Sequence, residues 1–385
     1  MKLSSMIGMI LLCITGLTSA DESKIPSPFQ GHTNGSQLTV EYKDLDAFLK
    51  LHVLDLGPST RQKAPKAETA IGTKMRGRVN RYTALEGNRV FFKNLQNPEI
   101  KSILNDLVRS LESLPEEVPL KLLARSEQLA YWLNLYNFAL LNELAEVYPK
   151  SSLKRVLDYG DEDSILAQKI LEVAGVPLSL DDIQFTILKN KFPQDVVIIY
   201  GLFQGNIGGP NLTRYAYRGS NVWKMLEENA DNFINANRGT NIDGRTSVKV
   251  SEYFERNMAY FDNDKEKLRA HLIEFLHGDM EQAFTTAKRI YFDIADWSMA
   301  DLFGNRRTFG GAYQTNHAAL LDAVMTTQPG DAFQAVQIQS YLSSDLQTKA
   351  KLPARFSEPE IELLLRLRDG PDINSGKVKV TDIEQ

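Results

Sequence analysis

The sequence predicts an α+β fold, mainly helical with a small sheet and a helical C-terminal extension. Three observations carry that expectation. Apolar residues recur at helical spacing over several long stretches, the strand-like runs are short and scattered rather than alternating regularly with helices, and no repeat of fixed period is present. With 385 residues, 43% hydrophobic and 24% charged, the chain has ordinary globular composition and ample length for a buried core.

In chain order, 21–36 is rich in Ser, Pro, Gly and Asn and reads as a flexible lead-in. Leu45, Phe48, Leu49 and Val53 give an amphipathic helix over 44–56. The polar stretch 57–78, with Arg61, Lys63, Lys66, Lys74, Arg76 and Arg78, reads as a solvated loop rather than a polyanion site. Strand-like runs at 79–85 and 89–95 flank Glu86-Gly87-Asn88 and predict a hairpin, followed by a helix over 99–114. The strongest helix is 126–148, with Ser126 as its N-cap and Pro149 as its stop. Leu129, Trp132, Leu133, Tyr136 and Leu140 mark one face, while Tyr131, Leu135, Phe138 and Leu141 make the other apolar as well, so the helix is expected to be central and buried. Asn134 and Asn137 lie inside that surround, where an amide without partners costs a few kcal/mol, so each should clamp backbone or another polar side chain rather than wait for a ligand.

Ser179-Leu180-Asp181-Asp182 matches a capping box opening a helix to about Lys191. The apolar run 196–200 reads as a buried strand feeding the glycine-rich turn from Gly201 to Pro210. Helices are expected at 221–237, 251–260, 265–276 and 280–289, with strands near 247–250 and 290–292. Further helices at 316–327, 332–346 and 358–368 make up the C-terminal extension.

Charge and targeting narrow the function. A net charge of −5, from 44 basic and 49 acidic side chains without a dense basic block, argues against nucleic-acid binding. Lys2, the apolar run from Met6 to Leu17 and Thr18-Ser19-Ala20 form a signal-peptide pattern over 1–20, cleaved after Ala20, so a periplasmic or secreted protein without an integral membrane segment is expected. The rival lipoprotein reading fails on Leu12, too bulky to precede a lipidated cysteine. Cys13 is the only cysteine. After cleavage no disulfide, thiolate nucleophile, iron–sulfur cluster or covalent haem attachment can form.

The usual chemical signatures fail in turn. The 201–210 turn lacks G-x-G-x-x-G and the Gly-Lys-Ser/Thr ending of a phosphate loop, and Pro210 removes a donor. His32, His52, His271, His277 and His317 contain no HExxH, so no metal is expected. The acidic stretches at 262–264 and 369–376 lack the ligand spacing of an EF-hand. No G-x-S-x-G elbow supports a serine triad. No cofactor is implied.

Ala130-Tyr-Trp-Leu-Asn-Leu-Tyr-Asn137, then Leu178-Ser-Leu-Asp-Asp-Ile183, the glycine turn to Pro210 and Asp296-Trp-Ser298 together resemble the domain of unknown function 547 family, over about 77–300. That resemblance implies an α+β fold with a distant likeness to papain-type cysteine hydrolases. It divides the chain into a signal peptide (1–20), an N-terminal lead-in and helix (21–76), the family-like domain (77–300) and the extension (301–385). Within the last, 309–313, 320–324 and 352–361 loosely resemble the tail of bacterial di-haem peroxidases, without a motif to attach haem. The departures from the family pattern are informative. Gln184 and Phe185 stand where the family commonly has Glu and His, Ile199 where it has His, and Gln204 where it has Cys; a second cysteine is missing before Pro210.

Glutamine, phenylalanine and isoleucine offer no useful pKa for acid–base or nucleophilic work. The resemblance therefore implies a degenerate, non-catalytic member that binds an as yet undefined small molecule or protein, with Trp132, Asn134, Tyr136, Asn137, Gln184, Gln204, Asn206 and Pro210 as its candidate pocket. The alternative is a hydrolase using an oxygen nucleophile and carboxylates, for which a Ser or Thr beside His271, His277 or His317 would be the sign.

Overall fold

The computed structural model describes residues 22–63 and 82–302. The signal peptide, most of the basic stretch and the C-terminal extension, with the helices assigned to it, lie outside the described residues.

The fold is mainly helical with small sheets of two and three strands. Helix α3 (Arg125–Val147) runs through the centre, with both faces buried and Trp132, Tyr131, Leu133, Tyr136 and Leu140 all sealed from solvent. Its cap differs from expectation. Ser126 lies inside the first turn, and Ala124, whose side chain cannot cap, occupies the N-cap position. Helices α1 (Lys43–His52) and α2 (Pro98–Glu117) contribute buried faces to the same core, α2 capped by the Asn97 side chain, which accepts from the Glu99 N–H at 3.0 Å.

The lead-in expected to be flexible is docked over 22–36. Phe29 meets the Trp132 ring edge-on at 5.0 Å between centroids, and the Lys191 ammonium donates to the carbonyls of Phe29 at 2.6 Å and Gly31 at 2.9 Å. Polar composition suggested solvation, but Ile25 and Phe29 are enough to anchor it.

Strand pairing also departs from the expected hairpin. β1 (Val53–Leu54) pairs antiparallel with β2 (Arg89–Val90), whereas 82–85 forms a turn. The cause lies at Glu86 and Gly87. The Glu86 carboxylate is held by the backbone and side chain of Asn237 and the backbone N–H of Arg238. Gly87 sits at φ +76°, where a Cβ would come 2.7 Å from the Arg238 guanidinium. A hairpin that patterning missed, β3 (Leu171–Val173) with β4 (Val176–Leu178), turns through Ala174 and Gly175, both at positive φ.

The expected capping box forms. The Ser179 N–H and hydroxyl both donate to Asp182 at 2.6 Å, and the Asp182 N–H donates back to the Ser179 hydroxyl at 3.1 Å. The helix that the box opens is a π-helix (Asp182–Leu188), closed by the short α4 (Lys189–Lys191). The apolar run expected as a strand is a 3₁₀ helix (Val196–Gly201). It lies between two apolar cores: Ile198 joins the one around α3, and Ile199 and Tyr200 join the second. A wholly apolar run does not distinguish burial on two sheet faces from burial all round a tight helix.

The second core lies beneath a three-stranded sheet. β5 (Thr240–Asp243) pairs antiparallel with β6 (Ser247–Ser251), and β6 pairs in parallel with β7 (Arg289–Ile294), Val248 facing Ile290. A parallel pair needs a long crossover. Here α6 (Glu252–Arg256), a 3₁₀ turn (Met258–Phe261), α7 (Lys265–Phe275) and α8 (Asp279–Thr286) provide it, burying Phe254, Phe261, Leu268, Leu272 and Phe284. Helix α5 (Val222–Ile234) divides its buried side chains between the two cores.

Candidate functional site

The glycine turn is held by α3. Asn137 donates to the Gly201 carbonyl and accepts from the Phe203 N–H, at 2.9 and 3.0 Å. One turn earlier, Asn134 grips residue 217 in the same bidentate way, donating to the Tyr217 carbonyl and accepting from its N–H, both at 2.9 Å. Both amides therefore spend their bonds on neighbouring loops, as their burial required. Gly205, at φ +75°, is in contact with α3: a Cβ there would come within 2.3 Å of Leu144. Close approach of backbone to helix explains the glycine, without a phosphate.

Within this turn Gln204 is fully buried. Its amide nitrogen donates to the Tyr136 hydroxyl at 3.1 Å and to the carbonyls of Leu202 and Phe203 at 3.2 and 3.3 Å, and its oxygen accepts from the Tyr159 hydroxyl at 3.2 Å. Burial pushes the Tyr136 phenol up to about 12, so it stays protonated at neutral pH. Gln184, equally buried, donates to Asn257 at 2.6 Å and accepts from the Arg256 guanidinium at 3.3 Å. Arg256 connects the two glutamines. It pairs with Asp181 while its guanidinium carbon lies 4.5 Å from the centre of the Tyr159 ring and 5.1 Å from that of Phe185. Carboxylate and stacking partners suit a guanidinium, whose planar, weakly hydrated head tolerates burial better than an ammonium.

Beside this network a shallow indentation, with room for about one water, opens to solvent, its lining including Tyr159, Asn206, Ser251, Glu252, Asp296 and Trp297. Trp297 packs against Tyr159 at 5.1 Å between ring centroids and donates its indole N–H to Glu252 at 3.2 Å. Asp296 accepts from the Thr83 hydroxyl and the Ser298 N–H, and its charge is one of those facing the buried Arg89. Behind it the Ser251 hydroxyl and the Arg238 guanidinium donate to the carbonyls of Gly208 and Gly209, at 3.0 and 2.7 Å. Burial lowers Arg89 and Arg238 to about 10 each, leaving both charged at neutral pH.

The described histidines are elsewhere. His52, lowered to about 4 by burial, hydrogen-bonds Asn94 at 3.0 Å and the Phe48 carbonyl at 2.8 Å. His271, likewise lowered to about 4, meets the Tyr200 hydroxyl at 2.9 Å. His277 contacts Asp231 on the surface, and His32 contacts Asn34. None of these bonds reaches a Ser or Thr hydroxyl, and His317 lies outside the described residues. No set of three His, Cys, Asp or Glu residues suited to a metal occurs among the described residues.

Of the residues singled out from sequence, the fold joins Tyr136, Gln184 and Gln204 through Tyr159 and Arg256, and sets Asn206 in the adjacent indentation. Trp132, Asn134 and Asn137 serve packing and loop clamping, and Pro210 is buried in the turn next to the carbonyl that Arg238 holds. Tyr159, Arg256, Asn257 and Glu252 were not singled out. A lone arginine on a five-residue helix carries no sequence signal of its role.

The fold and this centre define a helical α+β domain whose middle is an amide, phenol and guanidinium network. Residues 120–234, which span α3, the capping box and the glycine turn, match the family described as "Protein of unknown function, DUF547", in agreement with the motif resemblance there. No curated protein and no solved structure matches the chain.

Proposed function

We propose that this chain is an exported, non-catalytic binding member of that family. The observation that carries the reading is the state of Gln204. The side chain standing at the family's cysteine is fully buried, and both ends of its amide are bonded to groups that neither accept nor release protons near neutral pH. The neighbouring positions reinforce it. Phe185 packs on Arg256 and Tyr260, and Ile199 lies in the second core with its carbonyl accepting from Tyr253 at 2.6 Å. A nucleophile needs a base within hydrogen-bond reach and a path to substrate. Gln204 has neither.

The test is a hydrolase screen of the purified mature chain against ester and amide substrates, with fluorophosphonate labelling as a separate readout. Silence in both is expected. Turnover above the buffer rate that a serine or threonine substitution abolishes would establish the oxygen-nucleophile hydrolase instead.

A further inference from the structure

We propose that Asn34 is a site of spontaneous modification, losing its side-chain amide as ammonia to attack by the Gly35 backbone nitrogen and reopening as a mixture of aspartyl and isoaspartyl residues. This chemistry is intrinsic to the turn and requires neither a ligand nor an enzyme.

Sequence and exposure single out the position. Asn34 is the only asparagine in the chain followed by glycine, so no side chain on the next residue stands in the way of attack on the amide carbon. Asn34 and Gly35 form an exposed turn in the docked lead-in. Gly35 sits at φ +72°, where even a Cβ would meet nothing within 4 Å. The buried asparagines are held differently: the amide nitrogens of Asn134, Asn137 and Asn229 all donate to backbone carbonyls, and none of these residues precedes a glycine.

Hydrogen bonding leaves the reacting groups in the state that this reaction needs. The nucleophile is the Gly35 nitrogen, whose N–H makes no hydrogen bond among the described residues. The leaving group is the Asn34 amide nitrogen, also unbonded among them, because the bond this side chain makes runs from the His32 Nε2 to its oxygen, at 3.0 Å. A donor on that oxygen polarises the carbonyl and stabilises the oxyanion that attack creates. The Gly35 nitrogen bonds to the Asn34 Cγ and gives up its proton; the Cγ–Nδ2 bond breaks, and ammonia leaves with that proton. Ring closure to the succinimide is favoured because both groups are held on adjacent residues. Water then opens the ring at either carbonyl, giving aspartate or, where the main chain runs on through the Asn34 Cβ, isoaspartate. The iso form adds a backbone carbon to a pinned turn. Thr33 donates its N–H to the Leu123 carbonyl at 3.1 Å and its hydroxyl to the Lys121 carbonyl at 2.8 Å, and the Ser36 N–H closes the turn onto the Thr33 carbonyl at 3.3 Å. Conversion therefore loosens the docking of the lead-in.

The experiment is peptide mapping by mass spectrometry of the full mature chain held in warm neutral buffer, with isoaspartyl methyltransferase labelling as a second readout. Asn34 should convert at least about tenfold faster than any other asparagine among the described residues, with isoaspartate in excess of aspartate. His32→Ala, at an exposed position, removes the donor to the amide oxygen and should slow conversion about fivefold. Hydrogen exchange of the Thr33 amide should quicken in the converted fraction. An Asn34 that stays intact or merely keeps pace with the other asparagines overturns the assignment. So does aspartate as the main product, which would mean direct hydrolysis without the ring, and so does an unchanged rate in His32→Ala. Unaltered exchange at Thr33 would overturn the effect on docking. The relative rate and the product ratio come from the unaltered protein, so both are decided even where the variant misfolds.

Discussion

A cysteine placed at position 204 would inherit the surroundings of the glutamine: no exposure, two neutral phenols and no imidazole. Burial without a base raises a thiol's pKa from its usual value of about 8.5. Arg256 lies across the Tyr159 ring but is already paired with Asp181. The Gln204→Cys thiol should therefore resist iodoacetamide in the native state at neutral pH and label only well above pH 8 or after unfolding; a labelling midpoint below about pH 7 would reveal an activating group and end the non-catalytic reading. The two buried histidines give a second residue-level expectation. Both are held near 4 in the fold against 6.5 when free, so the neutral form is the folded one. Their stabilising contribution is complete above pH 6.5 and is lost as pH falls towards 4, on the order of 2–3 kcal/mol for each. Urea midpoints should drop between pH 7 and pH 4, and His52→Gln should flatten that dependence by roughly half.

Helix α3 is where element-scale packing is concentrated. Trp132 is fully buried against Phe29 and Tyr131, with ring centroids at 5.0 and 4.9 Å. Trp132→Ala should cost about 3–5 kcal/mol in a denaturant melt. Lys63→Ala, at an exposed side chain resting on the Tyr82 ring, should change stability by less than about 0.5 kcal/mol. Equal small effects would show that α3 is not the central element. The glycine turn makes a complementary case. Gly205→Ala must both hold an L-residue at positive φ and displace Leu144, a combination worth roughly 2–4 kcal/mol. A neutral outcome there would mean that the turn does not lie against the helix as described.

For the molecule as a whole, the polar interior ties distant segments together. Glu86 reaches Ser59, Asn237 and Arg238; Arg61 reaches the carbonyls of Ile234 and Thr240; Asp46 reaches Arg218. No helix among the described residues is long and apolar enough to cross a membrane. The export proposal belongs to the same scale. Mass spectrometry of the exported protein should find Asp21 as the first residue, and an intact Met1 or a lipid on Cys13 would overturn it.

Periodicity and local chemistry were enough to read α2, α3, α5, α7 and α8, the Ser179 capping box and the need of Asn134 and Asn137 for partners. Each of these depends on residues within a turn or two of one another, or on burial that an all-apolar surround dictates. The motif around Trp132 likewise located the family match. Other features were decided by contacts between segments far apart in the chain. Residues 196–201 became a 3₁₀ helix because two cores meet there. Arg89 and Val90 paired with β1 because the preceding turn is pinned by 237–238. Arg256 acquired its place because Asp181, Tyr159 and Phe185 converge on it from separate elements. A side chain's own neighbours in sequence constrain its backbone, but its charge partner and its ring contacts are set by the packing of the whole chain.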